Sequence, residues 1–154
     1  MADQGDAAPN ILVQTADGDS VRLFDHATLP LVLYFYPKDD TSGCTKEAQA
    51  FTALADDFAA SGVSVIGISK DTPKKHRAFI AKYGLRVDLV SDPDGSACEA
   101  YGTWVEKSLY GRKYMGIERA TFLIDAAGII ARVWHKVKVA GHAEEVLAAA
   151  KNCR

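Results

Sequence analysis

The chain has 154 residues, 48% hydrophobic and 25% charged, enough for one soluble domain with a substantial core. A formal charge of −2 gives no electrostatic reason to expect nucleic acid or an anionic membrane as partner. No apolar run reaches membrane-spanning length, and the three cysteines Cys44, Cys98 and Cys153 are too few and too far apart for a disulfide framework.

The four histidines are scattered and no Cys-x-x-Cys occurs, so neither a metal site nor a cofactor is implied. The segment Met1 to Asn10 is polar and acidic and does not read as a secretory signal. The expectation is a cytoplasmic protein with reduced cysteines, a single domain over 1–154, and a loosely ordered tail over residues 1–8.

The pattern alternates strands and helices, the mark of an α/β layered domain. Ile11 to Thr15 and Ser20 to Leu23 flank Ala16-Asp17-Gly18-Asp19 as an N-terminal hairpin. Leu31 to Tyr36 is apolar at every position, as a central strand buried on both faces should be. Ala48, Phe51, Ala55 and Phe58 then recur at helical spacing, and four residues before Ala48 stands Cys44. Val63 to Ser69 predicts a second central strand. Asp71-Thr72-Pro73 caps a helix running to about Tyr83. Val87 to Val90 is a short strand, followed by a turn at Ser91 to Gly95 and a short helix that carries Cys98 and ends near Tyr101-Gly102. Ala120 to Asp125 and Ile129 to His135 read as two strands joined at Ala126-Ala127-Gly128, and an amphipathic helix spans about His142 to Asn152.

Chemistry concentrates in Pro37 to Cys44. A strand stops at a proline, turns through polar residues and delivers a cysteine to the first turn of a helix. Unpaired N–H groups and partial positive charge there favour the thiolate over the thiol. Pro37 lacks an N–H and can wall a thiol pocket, or merely end the strand. Thr41, three residues before Cys44, could cap the helix or face the sulfur. Ser42-Gly43 allows close backbone approach around an anion. Arg119, at the start of the strand Ala120 to Asp125, could supply a guanidinium if that strand lies beside Leu31 to Tyr36.

Pro37, Thr41 and Cys44 form a Pro-x-x-x-Thr-x-x-Cys pattern similar to that of the peroxiredoxins. Tyr34 to Thr41, Gly43 to Ala48, Ser91 to Gly95, Tyr101 to Trp104 and Arg119 to Asp125 resemble the Q-type branch, the bacterioferritin comigratory proteins. The resemblance implies a thioredoxin-like fold, a central mixed β-sheet flanked by helices. It also implies reduction of hydrogen peroxide and organic hydroperoxides, with Cys44 as peroxidatic cysteine passing through a sulfenic acid. Thr41 would bond the peroxide, Arg119 would hold thiolate and reacting oxygens, Pro37 would shield the pocket, and Gly43 and Cys44 would offer backbone N–H groups. Glu47 could orient Arg119 or simply decorate the first helical turn. Tyr36 and Trp104 could line the pocket or be plain core.

Many Q-type members carry a resolving cysteine five residues after the peroxidatic one, where this chain has Gln49; others place it in the next helix, and Asp71 to Tyr83 contains none. Three routes stay open: a one-cysteine enzyme reduced by thioredoxin, glutaredoxin or glutathione, or resolution by Cys98 or by Cys153. The one-cysteine route is preferred, in a monomer or weak dimer. The alternative is a non-catalytic thioredoxin-fold protein, a redox sensor, chaperone or interaction module.

Overall fold

A computed structural model describes residues 2–153. The hairpin forms from β1 (Leu12–Thr15) and β2 (Ser20–Arg22), followed by the short α1 (Leu23–His26) and the central β3 (Leu31–Phe35). Next come α2 (Ser42–Ala53), α3 (Ala55–Ala60), β4 (Ser64–Ser69), α4 (Pro73–Tyr83), β5 (Asp88–Ser91) and α5 (Ser96–Tyr101). The chain closes with β6 (Trp104–Leu109), β7 (Arg112–Ile117), β8 (Ala120–Ile124), β9 (Ile130–Trp134) and α6 (His142–Lys151).

Seven strands form one mixed sheet in the order β2-β1-β5-β4-β3-β8-β9. β3 lies parallel to β4 and antiparallel to β8, with Phe35 opposite Ala120. The pleat sends alternate residues of β3 to opposite faces. Leu31, Leu33 and Phe35 join a core with α1, α5 and Cys98, while Val32, Tyr34 and Tyr36 join a core with α2, α3, α4, α6 and Cys44. All five residues of β3 are buried, which is why the strand carries no polar alternation. Among the described residues, no helix is long and apolar enough to cross a membrane.

Besides the short α1 over Leu23–His26, where the sequence reading ran a strand to Leu23, the structure departs from that reading in three places. The helical run after Cys44 breaks at Leu54, whose φ of −101° and ψ of 10° separate α2 from α3. Trp104 to Ile117, left unassigned by the sequence pattern, forms the separate antiparallel hairpin β6–β7. Residues 2–8, expected to be loose, are tied to β9 instead: Gly5 N–H donates to the Ile130 carbonyl, Ile130 N–H to Asp6, and Ala8 N–H to Gly128. Those bonds are made by backbone alone, and Ala2 and Ala8 fill small gaps in the core.

Candidate active site

The loop from Pro37 to Thr41 leaves β3 and enters α2 at its N-terminus. Thr41 occupies the N-cap with extended backbone but places no side-chain bond on the helix, and no acidic residue stands in the first turn. The leading N–H groups of α2 therefore remain oriented toward whatever sits at its tip, with no carboxylate competing for them. Instead of capping, the Thr41 hydroxyl donates to the Lys38 carbonyl at 2.8 Å.

Cys44 lies on the first turn of α2 and is only 2% exposed. The antiparallel pairing of β3 with β8 brings Arg119, one residue before Ala120, to the same end of the sheet. Its Nη2 donates to Cys44 Sγ at 3.3 Å and its Nη1 to Glu47 Oε1 at 2.7 Å. One guanidinium thus bridges the sulfur and a carboxylate on the same helix, a use of its planar fork that lysine cannot reproduce. Gly43 makes this possible: a Cβ there would meet Arg119 Nη2 at 3.1 Å.

Glu47 is almost fully buried, and its second oxygen finds no partner. Burial pushes its carboxyl up to about 7, with Arg119 pulling the other way. The neighbouring Tyr34 hydroxyl is also buried without a partner, and its acidity is suppressed by burial first and by the charges of Glu47, Asp39 and Cys44 second. Lys107 of β6 is lowered by burial and by Arg119, while Cys44 and Glu118 act in the opposite direction. The β6–β7 hairpin therefore belongs to the electrostatic surroundings of the site.

A family model described as the AhpC/TSA family matches residues 4–133. The chain belongs to the AhpC/TSA family. Peroxiredoxin Bcp of Xanthomonas campestris pv. campestris is 48% identical over 134 residues, covering 87% of this chain and 84% of that protein. The solved structure of Xanthomonas campestris peroxiredoxin Q has a TM-score of 0.88 and 43% identity, covering 99% of this chain and 96% of that one. Structures of the bacterioferritin comigratory protein of the same organism, concerned with its alkyl peroxide reduction activity, match with a TM-score of 0.88 and 42% identity, covering 99% of this chain and 97% of that one. These similarities place the chain in the Q-type, or Bcp, branch of the peroxiredoxins, and the fold is thioredoxin-like.

In this peroxiredoxin the structure gathers Cys44, Gly43, Glu47 and Arg119 at one point, with Thr41 and the exposed Pro37 on the loop leading into it. Tyr36 and Trp104, either pocket lining or plain core by sequence, both pack in the core, Tyr36 in the cluster that holds Cys44. Tyr36 is buried beneath the loop, and its hydroxyl is committed to Asp39. Trp104 packs on the opposite face of the sheet, with the core that contains Cys98, and receives Lys70 over its ring. Glu47, read above as either a positioning group or a decoration of its helix, is bonded to Arg119.

Cys98 lies across the sheet from Cys44, whereas Cys153 packs against the same core as Cys44. Cys98 is fully buried across the sheet, and burial together with Asp92 pushes its thiol well up. Cys153 follows α6, and its thiol is raised by burial and by Asp125, which lies at the far end of β8 from Arg119. The length of β8 separates those ends by about 16 Å. Among the described residues, no group of three or more His, Cys, Asp or Glu side chains is gathered as a metal site.

Proposed function

We propose that this peroxiredoxin, a thiol-dependent peroxidase, reduces hydroperoxides through Cys44 by a one-cysteine cycle. The observation that carries the assignment is the 3.3 Å contact between Arg119 Nη2 and Cys44 Sγ at an uncapped helix N-terminus. Thiolate sulfur attacks one peroxide oxygen; the O–O bond breaks, Cys44 becomes a sulfenic acid, and the leaving oxygen takes a proton to form water or an alcohol. Arg119 stabilises the thiolate before the step and the negative charge on the departing oxygen during it. The Thr41 hydrogen is committed to Lys38, so the hydroxyl oxygen keeps its lone pairs free to accept the peroxide O–H. The first-turn N–H groups of Gly43 and Cys44 supply further donors, and Pro37 shields the approach. Glu47 touches Arg119 and acts as a positioning residue.

The sulfenic acid then condenses with an external thiol, releasing water, and a second thiol displaces the mixed disulfide to restore Cys44. Burial of Cys98 across the sheet and the position of Cys153 after α6, beside Asp125 at the end of β8 opposite Arg119, support this route over an internal bridge. The external thiol is thioredoxin, glutaredoxin or glutathione, and the protein acts as a monomer or weak dimer in the cytoplasm. In the test, recombinant protein consumes hydrogen peroxide or an organic hydroperoxide with dithiothreitol present, and Cys44→Ser abolishes consumption. Equal inertness of both proteins would favour the non-catalytic redox-sensor or interaction-module reading.

A further inference from the structure

A buried polar cluster sits directly beneath the Pro37–Thr41 loop. His76 of α4 is fully buried and Asp39 nearly so. His76 Nδ1 lies 2.6 Å from Asp39 Oδ2, and its Nε2 lies 3.1 Å from the Val90 carbonyl. The buried ring is thus held from both sides, by the Asp39 side chain at one nitrogen and the Val90 carbonyl at the other. The other oxygen of Asp39 accepts from the Tyr36 hydroxyl at 2.5 Å, and the Asp39 N–H donates to Asp71 Oδ2 at 2.8 Å. The next residue, Asp40, has a φ of 59° and accepts from Lys82 and Tyr83, also on α4. Two consecutive carboxylates therefore fasten one short loop to one helix.

A buried pair of polar, titratable side chains is a costly way to gain stability, because apolar side chains of the same volume would fold as well or better. What such a pair supplies is direction. The peptide joining Lys38 to Asp39 carries the carbonyl that accepts the Thr41 hydroxyl. Fixing the Asp39 side chain and N–H fixes that peptide plane, and with it the rotamer of Thr41. We propose that His76 is a positioning residue for peroxide reduction, acting through Asp39 and the Lys38 carbonyl to aim the Thr41 oxygen at the substrate. The proposal rests on the reading of Thr41 as the acceptor of the peroxide proton.

The test is a double-mutant cycle read by stopped-flow oxidation of reduced protein with hydrogen peroxide, using His76→Gln, Thr41→Val and their combination. His76→Gln is expected to slow oxidation about tenfold, since small misplacement of a substrate-orienting group has effects of that order. Alkylation of Cys44 by iodoacetamide, which needs the thiolate but no peroxide acceptor, should stay within twofold of wild type. In the Thr41→Val background His76→Gln should cost nothing further, the non-additivity expected of residues in one chain of contacts. Additive losses, or an equal fall in alkylation, would overturn the positioning role while leaving Thr41 in place. A Thr41→Val protein as fast as wild type would overturn the Thr41 reading and this proposal together. Should His76→Gln fail to fold, the isosteric Asp39→Asn takes its place in the same cycle with the same expected outcomes.

Discussion

Replacing Glu47 with glutamine changes one proton and almost no volume, and the consequence should be visible in stability against pH. Glu47 has an ordinary value of 4.5, pushed by burial to about 7 in the folded protein. The folded state thus binds this proton more tightly than the unfolded chain does. Its contribution to stability is fully present below pH 4.5 and is lost as pH rises through 7. At about 1.4 kcal/mol per pH unit, the loss across that window is about 3 kcal/mol. Glutamine keeps an acceptor for Arg119 Nη1 and places an amide where the unpartnered oxygen was, but carries no titrating proton. Urea unfolding at pH 4.5, 5.5, 6.5 and 8 should show Glu47→Gln gaining about 3 kcal/mol on wild type across the series. Stability curves that run parallel over the whole range would refute the reasoning, because the buried carboxyl would then titrate as it does in water.

Arg119→Lys keeps the charge but cannot bond Cys44 and Glu47 together, so the peroxide oxidation rate should fall about 100-fold, measured by stopped flow. Gly43→Ala puts a methyl 3.1 Å from Arg119 Nη2, and displacing the guanidinium should cost about tenfold in the same rate with the fold intact by circular dichroism. The double variant Cys98→Ser, Cys153→Ser should turn over peroxide with dithiothreitol at the wild-type rate, and a loss of most turnover would mean that one of those thiols resolves the sulfenic acid.

Much of the sheet was legible because β3, β4 and β8 are apolar runs long enough to read as buried strands. The meeting of Cys44 with Arg119 was legible only conditionally, since it depends on the β3–β8 pairing, which no local pattern states. The β6–β7 hairpin escaped because Glu106, Lys107, Arg112 and Lys113 interrupt any apolar alternation. Its two-residue turn is Tyr110-Gly111, with φ of 50° and 77°, in place of the usual Asn-Gly signal. Leu54 looked like part of a continuous helix because spacing survives a one-residue break. The polar N-terminal segment looked loose because its ties to β9 run through backbone groups that every residue carries. Asp39 and His76 were not singled out because their meeting requires the loop after β3 to fold onto α4, a contact between residues far apart in the chain.

The account turns on Cys44 as the atom that peroxide oxidises. Reduced protein treated with one equivalent of hydrogen peroxide, trapped with a sulfenic-acid reagent and mapped by mass spectrometry, puts the question directly. The account predicts the adduct on Cys44, with Cys98 and Cys153 left as thiols. Peroxide consumed with Cys44 unmodified, or a dominant disulfide between Cys44 and either of the other two, would contradict it.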